Sequence, residues 1–510
     1  MKKLKVIILL LLIIILGAIL RLVAVFHSGS FWFDEVVSLS IAQKGFVESW
    51  QYLQWENNPP AHYWLLHFWI KIFGQTEVIL RLSSFLFSIL NIFIIYLLGR
   101  TLTKKDSVGL FAALLSAASS YHLFTSMDAR MYPMLFCFFL LSLYFFWRYL
   151  ESNKKLFLAA YIIAAIITLY THLIGLAMII TCNLYWFYHY FFISQKKTSW
   201  RQWLLAQFLV VLAFLPWLIN FITHNVSRLT DDAWYFNTSG SGALLFELPR
   251  AYFFLGVEHP FLEIIALLFF GVLFVSVFVS HLECSSKLKE VKFNLEFPSA
   301  ALLSLLIFII PLSIGLCLQI WVSKYYILGS PGLFLLLAMG FEKLNFKSSH
   351  KKIIIVGILF LLLPYSFDII KNQGQHKWDE LASYVEQIEA PGDIIFFPAF
   401  VYNVPFDYYY RGKLAISNIL SEKLGSDPLL LAIKYNWYPA IQPKDLPDFF
   451  EAFKNDKRVI LIYPAVSAEI HHADFILDKF LKSDWKLIKE QKFEGFFERA
   501  AVYIFKNPAL

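Results

Sequence analysis

Two carboxylates stand side by side at Asp34 and Glu35, within Phe31-Trp32-Phe33-Asp34-Glu35, just after the first apolar run of the chain. At a water–membrane boundary such a pair can supply a general base and a partner that orients it, or can help to hold a cation. The same two residues at a helix start also read as a solvated pair favoured by the helix dipole. A second charged site, Met127-Asp128-Ala129-Arg130-Met131-Tyr132, occupies a very short turn between two apolar runs. Its guanidinium can pair with Asp128, snorkel to any lipid phosphate, or grip the phosphate of a specific lipid through its forked donors. Lys324, followed by Tyr325 and Tyr326, is the lone cation of another small connection. It reads as an interface anchor or as a phosphate contact. His172, in a further turn, reads more readily as a structural hydrogen-bonder than as a ligand. Ionisable groups so close to a bilayer are functional candidates by default.

The elements that must position these groups are set by composition. Of 510 residues, 58% are hydrophobic, 18% are aromatic and only 16% are charged, with a mean hydropathy of +0.60. A soluble chain carries about 25% charged residues. A polytopic membrane protein follows, and disorder, collagen-like repeats and a secreted disulfide scaffold are excluded. The four cysteines form no CxxC pair, so neither a zinc knuckle nor a redox motif is on offer. The net charge of +7 does not point to nucleic acid, because the cations are segregated along the chain.

Eleven apolar segments are predicted to span: Met1–Phe26, Val78–Gly99, Val108–Thr125, Met131–Leu150, Leu156–Tyr170, Leu173–Ile193, Trp203–Thr223, Phe261–Val279, Ala300–Val322, Tyr326–Phe341 and Ile353–Phe367. The first is too long for a signal peptide and lacks a small-residue cleavage site. Alternate connections carry Lys2/Lys3/Lys5, Arg100/Lys104/Lys105, Arg148/Lys154/Lys155, Lys196/Lys197/Arg201, Lys287/Lys289/Lys292 and Lys343/Lys347/Lys351/Lys352. The opposite connections hold Asp34, Glu35, Glu48, Glu56, Glu77, Asp128, Asp231, Asp232, Glu247 and Glu258. By the positive-inside rule the N-terminus is cytoplasmic and the acidic side is outside. Counting His62–Phe73 as a span would invert every later connection, so it is expected as a helix lying in the outer interface.

These spans define a membrane unit, 1–367, whose first outer loop covers 27–77. The remaining 143 residues, 368–510, are expected outside as a small α/β domain. Its expected elements are helices at Trp378–Glu389, Leu446–Lys454 and Ser467–Leu481, with strands at Ile394–Phe397, Arg458–Tyr463, Trp485–Lys492 and Ala500–Phe505. His471-His472 reads as a solvated pair. The triplets Asn225-Val226-Ser227 and Asn237-Thr238-Ser239 match glycosylation sequons, which are common by chance.

Taken in order, these residues resemble the GT-C membrane glycosyltransferases, specifically the family 39/83-like group of protein O-mannosyltransferases and the lipid A aminoarabinose transferase. The resemblance runs through Asp34-Glu35, Asn58-Pro59-Pro60-Ala61-His62-Tyr63-Trp64-Leu65-Leu66, Ile72-Phe73-Gly74 and Arg81-Leu82-Ser83. It continues through Asp128-Ala129-Arg130-Met131-Tyr132, Tyr170-Thr171-His172, and Lys324-Tyr325-Tyr326 leading to Pro331. Asn58 stands where many relatives have His, and Lys324 where Arg is usual.

The resemblance implies transfer of a sugar, with inversion, from a polyprenyl monophosphate to an acceptor hydroxyl outside the membrane. It implies Asp34 as the base, with Glu35 and Asp128 as further catalytic carboxylates that position Asp34, bind acceptor or ligate a divalent ion. Arg130 and Lys324, with Tyr325, would hold the donor phosphate; Asn58, His62, Tyr132 and His172 are candidates for other substrate contacts. Some relatives use a metal and others do not. No dedicated metal spacing is present, so a divalent cation at Asp34, Glu35 and Asp128 stays open and no other cofactor is implied. Expected partners are the lipid-linked sugar, membrane lipids and a glycan, lipid or protein acceptor, with no nucleic acid. The eleven-span plan and the absence of an ER-retrieval ending fit a bacterial inner membrane. A transporter or lipid flippase is the alternative from another class, disfavoured because the acidic groups gather on one face rather than at the midplane of broken helices.

Overall fold

The computed structural model describes residues 2–193, 198–224, 250–255, 259–284, 291–295, 298–318, 323–344, 346–373, 376–398, 400–417, 429–430, 433, 449–464, 474–493 and 500–510. The readings at Lys196, Lys197, Asp231, Asp232, Glu247, Glu258, Lys287, Lys289, His471–His472 and both sequons fall outside the described residues.

Among the described residues, each of the eleven apolar runs is mostly helical. They form α1 (Lys2–His27), α5 (Glu77–Thr103), the pair α6 (Asp106–Ala118) and α7 (Ser120–Ser126), α8 (Tyr132–Ser152), α9 (Lys155–Thr171), α10 (Leu176–Tyr188), α11 (Trp200–His224), α12 (Pro260–Ser276), α13 (Ser299–Leu318), α14 (Ser330–Lys343) and α15 (Ser348–Asp368). A helix satisfies its backbone internally, which lipid demands. Among the described residues, eight helical segments are long and apolar enough to cross a membrane, nine if α6–α7 is one bent span. Two more, α9 and α12, are apolar but have 17 residues each.

The run Val108–Thr125 departs from expectation: it breaks at Ser119 and bends by 61°. Ser119 is extended, and its hydroxyl caps α7 by accepting the His122 N–H at 3.2 Å. The carbonyls of Ser116 and Ala117, left open at the end of α6, accept from the guanidinium of Arg21, each at 3.1 Å. Arg21 also donates to Ser88 Oγ at 2.6 Å and is completely buried. A cation inside the first span was not expected; its forked donors hold the break open.

Between α1 and α5 lie three short helices, α2 (Phe33–Gln43), α3 (Phe46–Leu53) and α4 (Ala61–Phe73). The expected interfacial helix is therefore α4, which starts after Pro60. Gly45 (φ +78°) and Gly74 (φ +95°) make the turns that precede α3 and end α4, in a backbone region that glycine enters without strain.

The helix α15 continues through a π turn, Ile369–Gln373, past the boundary drawn at 367. Beyond it stand α16 (Trp378–Ile388), β3 (Asp393–Phe396), α17 (Phe400–Tyr409), β4 (Ile416–Ser417), β5 (Arg458–Pro464), α18 (Asp474–Leu481), β6 (Lys486–Phe493) and β7 (Ala500–Lys506). The sheet order is β4-β3-β5-β7-β6, parallel from β4 to β5 and antiparallel beyond it. Ile460 and Ile462 pack on one face with Leu381, Val385 and Phe406 from α16 and α17. Val459 and Leu461 face the other side, with Phe449, Phe453, Ile476 and Phe480. Period-two alternation buried on both faces gives three layers. Three details differ from expectation. The described part of Leu446–Lys454 is a 3-10 turn at Phe449–Phe453, while the described part of the expected helix Ser467–Leu481 is helical from Asp474. The helix α17 and the hairpin β1 (Val279–Cys284) with β2 (Val291–Leu295) were not foreseen.

Candidate active site

The two adjacent carboxylates open α2 and point to different environments. Glu35 turns inward. Its Oε1 accepts from Arg81 Nε at 2.9 Å and from the Ala129 N–H at 2.8 Å; its Oε2 accepts from Arg81 Nη2 at 2.7 Å and the Trp32 N–H at 3.3 Å. The same guanidinium donates to the carbonyls of Ser28, Gly29 and Ser30. Side-chain exposure is 0% for Glu35 and 1% for Arg81. The expectation of Glu35 as a catalytic group, acceptor contact or metal ligand does not fit this geometry, since both oxygens are committed. It ties the first outer segment, α5 and the Asp128–Arg130 turn together.

Asp34 faces the other way, with 29% of its side chain exposed. Arg130 Nε lies 3.5 Å from Asp34 Oδ2, and its Nη1 donates to the Asp34 carbonyl at 3.2 Å and to Ser38 Oγ at 2.8 Å. Ser84 fixes the turn by donating to the Arg130 carbonyl at 3.1 Å. Burial opposes the charge on Arg130, but Asp34, Tyr63, Tyr132 and Glu56 outweigh it and raise its pKa.

Lys324 enters from the segment before α14. Its Nζ is 3.9 Å from Asp128 Oδ2, 3.9 Å from the centre of the Trp32 ring and 5.9 Å from that of Tyr132. An ammonium over an aromatic face is held by the ring quadrupole. Burial raises the Asp128 carboxyl to about 7, with Glu35 and Asp34 pushing the same way and Lys324 and Arg81 opposing. Asp34, Glu35, Asp128, Arg130 and Lys324 thus form one electrostatic cluster. Among the described residues no group of three His, Cys, Asp or Glu side chains converges as a metal would need.

The histidines are fixed in opposite senses. His172 Nδ1 accepts the Ile174 N–H at 3.1 Å, so Nε2 carries the proton; that buried N–H has no acceptor. The ring lies 4.7 Å from Tyr325 and 6.2 Å from Tyr132. His62 Nε2 donates to the Ala129 carbonyl at 3.2 Å, leaving Nδ1 a buried acceptor without a donor. Burial, with help from Arg130, lowers both imidazoles to about 3 and keeps them neutral. Asn58 is turned to Glu56, donating at 2.7 Å. Its amide serves that loop in the structure as it stands.

Sequence reasoning missed a set of contacts from the C-terminal unit. The Ser30 N–H donates to the His376 carbonyl at 3.0 Å, and the Trp378 N–H to Ser30 Oγ at 2.9 Å. A side chain at Gly29 would collide with the His376 backbone, so only glycine admits this approach. The His376 ring stacks on Trp32, centroids 6.1 Å apart. Tyr409 accepts the Phe31 N–H and donates to Glu77, both at 2.6 Å. No local pattern signals these pairings, which join residues hundreds of positions apart. Ser38 had a signal: it sits four residues after Asp34, on the same face of α2.

Comparison with known proteins bears on this arrangement. Residues 57–219 match the family described as dolichyl-phosphate-mannose-protein mannosyltransferase, about a third of the chain. Among solved structures, ArnT from Cupriavidus metallidurans in the apo state is similar over 97% of each chain, with TM-score 0.59 and 12% identity. The same protein bound to undecaprenyl phosphate is similar over 96% of this chain and 97% of its own, with TM-score 0.57 and 11% identity. The Archaeoglobus fulgidus oligosaccharyltransferase, in complex with Zn and sulfate, is similar over 89% of this chain and 67% of its own, with TM-score 0.53 and 15% identity. No curated protein sequence matches the chain. The fold is therefore that of the GT-C class, a polytopic helical membrane unit with a small C-terminal sheet domain, in the arrangement seen in ArnT.

Proposed function

We propose that the protein is an inverting glycosyltransferase that moves a sugar from a polyprenyl-phosphate carrier to an acceptor hydroxyl at the outer membrane face. One observation carries this reading: the partly exposed carboxylate Asp34 belongs to one charged cluster with two cations, Arg130 beside it and Lys324 on the neighbouring Asp128. The family match and the fold shared with ArnT, which is known with undecaprenyl phosphate bound, support it.

In the proposed reaction the acceptor oxygen attacks the anomeric carbon while Asp34 takes its proton. The bond from that carbon to the phosphate oxygen breaks, and its electron pair leaves with the polyprenyl phosphate. Charge gathers on that phosphate, and Arg130 and Lys324 would stabilise it there. Attack from the face opposite the phosphate inverts the configuration. In the structure Arg130 is engaged by Asp34; an arriving phosphate would compete for that guanidinium and release the base. The Nε2–H of His172 is a fixed donor for a phosphate or sugar oxygen, and the bare Nδ1 of His62 a fixed acceptor for a sugar hydroxyl.

The broken span α6–α7 and its buried Arg21 invite the transporter reading, because transporters build substrate sites at such breaks. Here the guanidinium is already occupied by Ser88 and by the carbonyls of Gly17, Ser116 and Ala117, so it serves the fold rather than a substrate.

The test is transfer of labelled sugar from undecaprenyl-phosphate sugars to glycan, lipid and peptide acceptors by the purified chain. Asp34→Asn is expected to lower turnover by about 10²–10⁴-fold while the protein still inserts. Near-normal turnover by that variant would remove the assigned base.

A further inference from the structure

On elements that carry none of the charged cluster's side chains, α12 and the end of α14 line a groove of about 860 Å³. Its walls are aliphatic: Ile264, Leu268, Val272 and Val275 are each more than half exposed along one side of α12. The groove exists because of the glycine pattern. At Gly340 of α14 an added Cβ would collide with the Leu273 carbonyl, so the two helices touch there. At Gly271 an added Cβ would meet nothing within 4 Å, and that empty space lies in the groove.

One end of the groove is charged. Lys343, in the last turn of α14, is a lining residue, and its Nζ donates to the Val277 carbonyl at 3.0 Å. That bond, made just past the end of α12, holds the ammonium at the groove mouth. Its neighbour Glu342 is taken by Lys105 and Lys351, at 3.5 and 3.3 Å. Among the described residues Lys343 itself has no carboxylate partner. Lys347, Lys351 and Lys352 follow within nine positions, so the local field favours an anion.

Lys343 ends the apolar segment that begins at Lys324. Twenty helical residues span about 30 Å, so the groove mouth lies at the membrane face opposite Asp34, Arg130 and Lys324. A carrier with its phosphate on Lys324 would therefore not place that phosphate here.

We infer that this groove is a binding site for an anionic diacyl phospholipid of the leaflet opposite the charged pocket, with an acyl chain along α12 and the headgroup phosphate on Lys343. The occupant is an anionic phospholipid because an acyl chain matches the aliphatic walls and a headgroup of net negative charge complements Lys343 and the lysines that follow it. The inference is independent of the sugar-transfer reading.

The experiment titrates phosphatidylglycerol or phosphatidylcholine of matched chains onto the full chain in detergent and counts bound lipids by native mass spectrometry. The wild-type protein should prefer phosphatidylglycerol by roughly fivefold, the contribution of one lysine near a lipid phosphate. Lys343→Gln should abolish the preference while both lipids still bind. Gly271→Leu, which fills the groove, should reduce occupancy by both. Equal binding of the two lipids to the wild type, or an unchanged preference in Lys343→Gln, overturns the inference. So does undecaprenyl phosphate displacing phosphatidylglycerol mole for mole with the same dependence on Lys343, since the groove would then hold a polyprenyl carrier.

Discussion

At the scale of single residues, two neighbouring acids have been put to opposite uses. Glu35 is sealed against Arg81, and breaking a buried pair by removing one charge costs about 3–5 kcal/mol. Glu35→Gln should therefore lower the thermal midpoint in detergent sharply, with lost activity following from lost structure. A variant that melts like the wild type would show that Arg81 is held by the Ser28, Gly29 and Ser30 carbonyls alone. Asp128 makes a pH prediction. With its carboxyl raised to about 7, it is ionised above that value, where it pairs with Lys324, and neutral below it. Glu35 and Asp34 push toward the neutral form, and Lys324 and Arg81 toward the charged one. A sugar phosphodiester keeps its charge throughout that range. Donor binding should therefore tighten as pH falls from 8 to 6, because Lys324 loses its competing carboxylate. Asp128→Asn should bind donor tightly at both pH values, and a persisting pH dependence in that variant would assign the titration elsewhere. The charged residues that cluster here stood out in the sequence because their types are rare beside apolar runs. The division of labour between Asp34 and Glu35 was not, since it depends on Arg81, forty-six positions away.

At the scale of elements, apolar length located the long apolar helices, because in lipid a helix has no competitor. Of the eleven spans expected, however, eight described segments, or nine with the bent pair, are long and apolar enough to cross. The sequence pattern did not carry the break at Ser119. Both halves are apolar, and the cause lies in Arg21, which looks like an interface anchor at the end of a long hydrophobic run. The helix α17 was hidden by Pro405, which lies inside it. The break matters because α7 leads directly into the turn bearing Asp128 and Arg130. Arg21→Met leaves the carbonyls of Ser116 and Ala117 buried without their charged donor, at a cost of roughly 1–3 kcal/mol. The expected result is a lower thermal midpoint together with reduced transfer. Unchanged values for both would mean that Ser119 capping alone maintains the bend.

At the scale of the whole molecule, the C-terminal unit reaches the segment that precedes Asp34. The residues Ser30, Phe31 and Trp32 are held by His376, Trp378 and Tyr409, so the position of α2 depends on a domain more than three hundred residues away in sequence. Tyr409 is the joint most open to test. Burial and the hydrogen bond to Glu77 raise its phenol pKa, so it remains a donor to Glu77 while accepting from Phe31. Tyr409→Phe keeps the ring and its contact with Tyr408 but removes both bonds. Displacement of a catalytic group by about an ångström can cost a hundredfold in rate, and two lost bonds on a clamped segment should give roughly a tenfold fall in kcat. Arg130 and Lys324 are carried by other elements and meet this segment only through Asp34, Ser38 and Trp32, so the donor KM should change less than kcat. Tyr410→Phe is the control, since that hydroxyl bonds Glu389 within the C-terminal unit alone. It should leave kcat unchanged even if the unit loses some stability. If Tyr409→Phe turned over as fast as Tyr410→Phe, the C-terminal unit would have no part in positioning the proposed base, Asp34. If it raised only the acceptor KM, the unit would act on the acceptor instead.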